Sequence, residues 1–480
     1  MRISLTLLAI STLLTCEVRA QLRAGAFAED ISPTTFPTPV NGNMKGGFAT
    51  SIHDPMHARC LALHDGKKEV FFCVVDACMI PREICEKAKE IASQKTGVPK
   101  SSMLISATHT HSAATMTPVF QSDPDPDYIA TLPERIADGF VQAHENLEPA
   151  EMGWAFSSDP DDVFNRRWYM KTGETYENPF GSKNDRALMN PGLVSPKVSV
   201  PSGPVDQDVA VLAVRSRKDK RPLALLANYS LHYVGGYPSI SADYYGAFAE
   251  QITQRLKATD ARYVGKPSFV GILSNGTSGN INNINFGSTL RHKQNPGEQL
   301  ELVAGRVADA AQTAYDTIHW DALTTVDSVE EDIQLHVRKA NDMELYNAKR
   351  LLDSTPKDKD GQWSDRKAIY AREALKLAEY PDDVPVKLQV FRIGDLSIAA
   401  IPCEVFVEIG RDLKMMSPFS RHFTISLANG YNGYLPTPEH HSLGGYETWR
   451  ARSSYLEVSA SVKITDYLKS MLSHLKEKTQ

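Results

Sequence analysis

The stretch ISATHTHS, residues 105–112, places two histidines two positions apart at the end of an apolar run. In an extended backbone successive side chains point to opposite faces, so His109 and His111 would share one face, with their Cα atoms roughly 7 Å apart. This spacing is typical of a metal site, although an isolated HxH pair is as often explained by histidines that satisfy buried hydrogen bonds. The apolar residues before it predict a buried strand that delivers both imidazoles to its end.

Segments of strand type recur along the chain and alternate with amphipathic helical segments, which predicts an α/β fold. The turn at Gly394 and Asp395 joins two strands as a hairpin, so we expect mixed β-sheets flanked by α-helices rather than a purely parallel sheet. The last two predicted helices are expected on the surface, joined by the charged, flexible stretch PKDKDGQW. The predicted strands are residues 58–63, 70–75, 103–106, 209–215, 223–230, 268–273, 388–393, 397–401 and 424–428, and the predicted helices are residues 82–95, 133–147, 341–352 and 366–378.

Length, charge and the N-terminus limit the class of protein. The net charge of −6 over 480 residues, with no dense block of Lys and Arg, argues against a nucleic-acid partner. Residues 1–20 combine a basic start, an apolar run and small residues before a cleavage point, as a secretory signal does, so a secreted or periplasmic protein is expected. A lipoprotein anchored at Cys16 is the alternative. Residues 21–480 are expected to form a single catalytic domain, in which the Pro-, Gly- and Asn-rich residues 157–204 form a lid or loop insertion.

Polar groups follow several other predicted strands. His232 ends one apolar run and Glu404 ends another, where an unpaired carboxylate would be costly and a cationic partner is expected. The stretch SNGTSGNINNINF, residues 274–286, and the stretch ANGYNGYLPTPEHH, residues 428–441, each follow a further strand. Each of these features alone has an ordinary structural explanation. Because five strand ends carry such groups, we expect them to meet at one site. Asp76, also at a strand end, is expected either to orient a metal-binding histidine or to cap the next turn.

These residues resemble the neutral ceramidase family, specifically its N-terminal catalytic domain, over nearly all of the expected mature chain. In that family the HTHS stretch, a later strand-end histidine, a strand-end glutamate and the second tyrosine of an NxYxxY stretch bind zinc. The resemblance therefore implies one Zn²⁺ held by His109, His232, Glu404 and Tyr434. Two imidazoles, a carboxylate and a phenolate suit zinc better than an alkaline-earth cation.

The stretch NGTSGN, residues 275–280, is similar to the family's GDVSPN active-site motif. Ser278 then takes the place of the active-site serine, and Asn275, Gly276 and Asn280 are expected to contact the substrate. Arg166 in FNRR is placed like the family's substrate-site arginine. Two departures concern the substrate: Gly276 replaces an acidic residue, and residues 113–116, AATM, replace a glycine-rich tail and would reshape the pocket beside the metal.

The resemblance implies a secreted amidohydrolase that cleaves an N-acyl amide bond, a ceramide-like lipid amide first, with possible contact to a membrane or micelle surface. Zinc would activate the attacking water, while Arg166 and Tyr434 would stabilise the oxyanion. His111 would transfer the proton to the leaving amine. Ser278 would serve as a substrate anchor or as a nucleophile.

Three alternatives stay open at the level of the sequence. The first is a zinc hydrolase of another N-acyl or ester substrate, such as a glycan or peptidoglycan fragment. The second is a binding homologue without turnover, suggested by Gly276. The third is a metal-free serine hydrolase that uses Ser278 with a histidine.

Overall fold

The computed structural model describes residues 21–290 and 295–478. The signal peptide expected at residues 1–20, together with Cys16, lies outside the described residues. In chain order the strands are β1 Arg23–Asp30, β2 Thr38–Val40, β3 Gly47–Ala49, β4 His57–His64, β5 Glu69–Val75, β6 Met103–Ala107, β7 Glu148–Ser158, β8 Phe164–Asn165, β9 Arg167–Met170, β10 Ala187–Met189, β11 Val198–Pro201, β12 Asp208–Ser216, β13 Pro222–Tyr229, β14 Val270–Asn275, β15 Ile281–Asn282, β16 Val326–His336, β17 Asp383–Ile393, β18 Leu396–Ala400, β19 Glu404–Val405, β20 Arg421–Ile425 and β21 Tyr434–Leu435. The α-helices are α1 Arg82–Thr96, α2 Pro126–Glu145, α3 Asp243–Arg255, α4 Glu298–Asp316, α5 Asp342–Ser354, α6 Arg366–Ala378, α7 Val407–Met416, α8 Pro438–Leu443 and α9 Ala460–Glu477.

Two mixed sheets form the centre of the molecule. The larger sheet has eight strands in the order β14-β13-β12-β7-β1-β4-β5-β6, and the smaller has four in the order β16-β17-β18-β20. The pairs β5–β6, β13–β14 and β18–β20 are parallel, and the other pairs within these two sheets are antiparallel. The predicted α/β class with mixed sheets and flanking helices is therefore confirmed.

Alternation of apolar side chains explains why the sheets are buried on both faces. In β5, Phe71 and Cys73 point toward helices α1 and α2, whereas Phe72 and Val74 point toward the smaller sheet. Every residue of this strand is buried, which is the pattern of a strand covered on two sides. Helices α3 and α4 cover the other half of the larger sheet, and α7 and α9 cover the outer face of the smaller one. The result is a four-layered arrangement of helices, sheet, sheet and helices.

Some predicted elements differ from those observed. Helix α2 begins at Pro126, seven residues before the predicted start, because the Asp125 side chain caps it by accepting from the backbone N–H groups of Asp127 and Tyr128. Helix α6 is not a surface helix, since most of its residues are buried, whereas α5 is largely exposed.

Residues 157–204 contain β8 to β11 rather than a bare loop, and β9, β10 and β11 pair as a small antiparallel sheet. Their role as a lid stays a prediction. Among the described residues no helix combines the length and the apolar character needed to cross a bilayer.

Candidate metal centre

His109 and His111 follow β6, but the chain does not continue as a strand through them. His109 has a φ of +76°, a left-handed conformation that is unusual for a residue other than glycine and often marks functional sites. Its ring Nδ1 donates to the carbonyl oxygen of Cys78 at 2.8 Å, which leaves the Nε2 lone pair free. The Nε2 atoms of His109 and His111 lie 3.3 Å apart. The two imidazoles therefore converge because of a backbone turn, not because of the strand alternation that the sequence suggested.

His232 reaches the same point from the end of β13. Its Nδ1 lies 3.2 Å from the carbonyl oxygen of Ser278, and its Nε2 lies 3.0 Å from Nε2 of His109. In both His109 and His232, Nδ1 is therefore hydrogen-bonded to a backbone carbonyl, and Nε2 points toward the other imidazole. Two Nε2 lone pairs at this distance repel unless a proton or a metal ion lies between them.

Glu404 and Tyr434 are supplied by a short parallel ladder. Strands β19 and β21 pair in a register that sets Glu404 beside Tyr434. Oε1 of Glu404 accepts from the Tyr431 hydroxyl at 2.9 Å, while Oε2 lies 3.2 Å from Nε2 of His109 and 4.0 Å from Nε2 of His232. Oε2 is buried and has no hydrogen-bond partner of its own. A buried carboxylate oxygen that meets two imidazole nitrogens, with all three atoms within 4.8 Å of one another, is an arrangement that can hold a metal ion.

The pKa values of the cluster follow from burial and mutual charge. Burial alone would lower the pKa of His109, but the carboxylate of Glu404 raises that pKa to about 10. Burial and the charge of Arg166 lower the pKa of His232 well below its usual value, and burial and His109 do the same for His111. Burial opposes ionisation of Glu404, but His109 outweighs it and lowers the pKa of the carboxyl. The carboxylate of Glu404 is therefore paired with a protonated His109, beside the neutral imidazoles of His111 and His232. A metal ion can replace the proton on His109.

The donor set fits zinc. With Zn–N distances of about 2.0–2.1 Å, neighbouring ligand nitrogens of a tetrahedral site lie about 3.3 Å apart, close to the separations found here. Cys78 is a poorer ligand for the same ion, because its Sγ lies 3.8 Å from Nδ1 of His109, on the opposite side of the ring from Nε2. Burial also raises the pKa of the Cys78 thiol, which keeps the sulfur protonated.

Arg166 brings a buried positive charge to the centre. Its guanidinium donates to Nε2 of His232 at 3.2 Å, to the Tyr434 hydroxyl at 3.1 Å and to the carbonyl oxygen of Gly279 at 2.8 Å. Glu447 holds it from behind, with Oε1 3.2 Å from Nε of Arg166. The other oxygen of Glu447 accepts from Arg167 at 2.7 Å, so two buried guanidinium groups share one buried carboxylate.

The NGTSGN segment contacts the centre through its backbone, because the carbonyl groups of Ser278 and Gly279 bind His232 and Arg166. Ser278 Oγ donates to Oδ1 of Asn275 at 2.7 Å, and the Asn275 amide donates in turn to the Thr108 carbonyl and the Tyr245 hydroxyl. Asn280 is occupied by Glu408 and by the backbone N–H of Val407. These contacts favour a supporting role for Asn275 and Asn280, and their predicted contact with substrate is untested.

Gly276 is required for close packing. A Cβ atom at this position would lie 2.6 Å from Oγ of Ser230, so no side chain can replace the hydrogen here without a shift of the backbone. The glycine that the resemblance marked as a lost acidic residue therefore has a steric explanation.

Two sequence-based expectations are corrected, and the state of the cysteines is settled for the described residues. Asp76 does not orient a metal-binding histidine: it forms an ion pair with Arg59, and backbone carbonyls orient His109 and His232 instead. Residues 113–116 do not shape the pocket beside the metal, because their side chains are buried in the body of the protein. The five cysteines in the described part of the chain are buried and unpaired.

Several residues of the centre carried no usable signal in the sequence. Glu447 follows no apolar strand, and its role depends on two arginines 280 positions away. Tyr233 stacks on the His111 ring at 3.6 Å between centroids. Gly42 packs against the Cγ and Nδ1 atoms of the same ring. Tyr431 was visible as the first tyrosine of NGYNGY, but its bond to Glu404 was not.

Comparison with known proteins supports the fold. No protein-family model matches the sequence, and no curated protein does. Two solved structures are similar: a neutral ceramidase from Pseudomonas aeruginosa, 16% identical, with a TM-score of 0.71 over 96% of this chain and 75% of that one, and a ceramidase complexed with C2, 14% identical, with a TM-score of 0.71 over 96% of this chain and 76% of that one. The expected likeness to neutral ceramidases is therefore confirmed at the level of the fold.

Proposed function

We propose that this chain, which has the neutral ceramidase fold, is a zinc-dependent amidohydrolase that cleaves an N-acyl amide bond, with a ceramide-like lipid amide as the first substrate to test. The observation that carries the proposal is the meeting of two Nε2 atoms, from His109 and His232, with Oε2 of Glu404, all within 4.8 Å of one another. His109, His232, Glu404 and Tyr434 would hold the ion. When bound, Zn²⁺ supplies a nucleophile at neutral pH by lowering the pKa of a water molecule to about 7.

Arg166 and His111 provide the remaining chemistry. Arg166 remains charged at every working pH, and its buried guanidinium can stabilise the negative charge that develops on the carbonyl oxygen of the substrate. A well-placed donor of this kind is worth about 3 kcal/mol. His111 lies beside His109, with their Nε2 atoms 3.3 Å apart, so it is placed to pass a proton to the departing amine.

Ser278 serves as an anchor in this mechanism. Its hydroxyl donates to the amide oxygen of Asn275, which is not a base that could remove the proton. His232 meets Ser278 only at the backbone carbonyl. A serine nucleophile needs a base on its hydroxyl, so the metal-free serine mechanism loses support.

Metal analysis with matched variants tests the proposal. Purified protein should contain one zinc ion per chain, and His232→Ala and Glu404→Ala should lose both the zinc and the hydrolysis of amides. His111→Ala should retain zinc while turnover falls about a hundredfold or more. His336→Ala, an exposed histidine of β16, is the control and should change neither. Zinc bound without hydrolysis of any amide or ester would instead support a binding homologue.

A second substrate class has an observation in its favour. The cavity at the centre has a volume of only about 30 Å³, which is too small for a long acyl chain. An acetylated glycan or peptidoglycan fragment presents such a small acyl group. A screen that compares fatty-acyl amides with N-acetylated sugars at equal concentration separates the two classes.

Export is also part of the proposal, on the basis of residues 1–20. The mass of the protein purified from the exported fraction should correspond to cleavage after Ala20. A full-length protein retained inside the cell would contradict export without affecting the proposed chemistry.

A further inference from the structure

A second cavity is connected to the cavity at the metal centre through one pair of aromatic residues, Phe120 and Tyr370. It has a volume of about 310 Å³, at the lower end of the range for small-molecule sites, and is lined mainly by apolar groups of α5, α6 and the loop at Phe180. Phe120 lines the small cavity at the metal, whereas Tyr370 lines the second one. The two rings are in contact, with centroids 5.8 Å apart. Phe120 and Tyr370 therefore form a partition between the two cavities.

The protein holds this partition in place. Phe120 has a φ of +51°, a strained conformation for a bulky residue. Its carbonyl oxygen accepts from Arg452 at 2.9 Å and from Arg372. Arg452 is bound in turn to the buried carboxylate of Glu373, which lies on the same helix as Tyr370. Helix α6 thus fixes both the ring on its own surface and the backbone that carries the opposing ring.

The apolar wall of the small cavity indicates which part of a substrate faces Phe120. The small cavity is lined by the apolar side chains of Met79, Val119 and Phe120 and also by polar residues such as Asn43 and His111. An alkyl chain is stabilised by burial against apolar side chains, whereas the departing amine needs the proton relay at His111. The acyl group would therefore point toward the partition.

Resting on the proposed amidohydrolase function, we propose that Phe120 determines acyl-chain specificity: it restricts the enzyme to short acyl groups and excludes longer ones from the space beyond. A pocket that rejects extra methylenes discriminates by about tenfold or more for each of them. Among the N-acyl amides that the proposed function allows, the favoured class is therefore an N-acetyl or similarly short N-acyl amide, ahead of lipid amides with a long acyl chain.

The test is a series of amides with one fixed amine and acyl groups from acetyl to hexanoyl. The wild-type enzyme should prefer acetyl, and Phe120→Ala should raise the ratio of kcat/KM for hexanoyl over acetyl at least tenfold. Phe120→Leu should shift the ratio in the same direction by less. Phe48→Ala, an exposed phenylalanine of β3 that lines neither cavity, should leave the ratio at its wild-type value.

The outcomes separate the two proposals. If the wild-type protein hydrolyses no amide in the series, the proposed function itself fails. If it hydrolyses them but Phe120→Ala leaves the chain-length ratio unchanged, or alters selectivity for the amine instead, the partition has no role in acyl selection. If Phe120→Ala does not fold, Phe120→Leu is tested for inhibition by carboxylates from acetate to hexanoate. Inhibition of Phe120→Leu must strengthen with chain length, and inhibition of the wild type must not.

Discussion

Glu447 offers the sharpest test of how the centre is assembled. Its carboxylate is fully buried and bridges Arg166 and Arg167, which are buried as well. Removing one member of a buried ion pair costs about 3–5 kcal/mol, because the remaining charge keeps its desolvation penalty without a partner. Glu447→Ala leaves two such charges, although each arginine keeps a carbonyl acceptor, at Gly279 and Gly444. We therefore expect a loss within that range rather than twice as large.

The expected loss converts to a shift in melting temperature. Unfolding entropies of about 2.1 cal/mol/K per residue give about 1 kcal/mol/K for 480 residues, so the Tm should fall by about 3–5 °C. Amide hydrolysis should fall as well, since Arg166 loses the group that fixes it against Tyr434. Calorimetry at neutral pH measures the first effect and initial rates measure the second.

Two further variants complete this test. Glu447→Gln keeps one acceptor oxygen and should lie between Glu447→Ala and the wild type. Glu439→Ala, an exposed glutamate eight positions earlier, should leave the Tm within about 1 °C of the wild type, because surface substitutions cost little. A Glu447→Ala protein that melts within 1 °C of the wild type would show that the buried network does not carry the stability assigned to it.

Three other predictions follow from the same structure. Gly42→Ala should reduce turnover at least tenfold with zinc retained, because its Cβ would lie 2.5 Å from Cγ of His111 and displace that ring; a variant with normal rates in a steady-state assay contradicts this. Dialysis against a chelator should lower the Tm by about 3 °C relative to protein with zinc at about a hundred times its Kd, since such binding adds about 2.7 kcal/mol; an unchanged melting curve would argue against a bound ion. Burial raises the pKa of Glu86, but Lys387 outweighs burial and lowers that pKa from 4.5 to about 2. The ion pair of Glu86 and Lys387 therefore stabilises the fold fully above about pH 4.5 and loses its effect as the pH falls toward 2. Acid titration of Glu86→Gln should show a shallower loss of stability over that interval than the wild type does.

Much of the fold could be predicted because its strands are buried on both faces. A strand such as β5 needs apolar side chains at every position, and this requirement is visible in a single sequence. Strand β16 was not predicted, since it carries polar side chains at partly exposed positions and lacks a continuous apolar run. The extent of α2 was underestimated because its first turn is fixed by the cap at Asp125 rather than by apolar periodicity.

The sequence by itself determined which chemical groups are available: histidines after two strands, a carboxylate after a third and a tyrosine after a fourth, each carried out of an apolar segment. Only the tertiary structure decided how these groups face one another. The left-handed turn at His109, the carbonyls of Cys78 and Ser278 that orient the imidazoles, and the carboxylate of Glu447 behind Arg166 all depend on contacts between distant segments. The physical reason is that strand periodicity is a local property of the chain, whereas orientation of a side chain and burial of a charge depend on whichever segment packs against it.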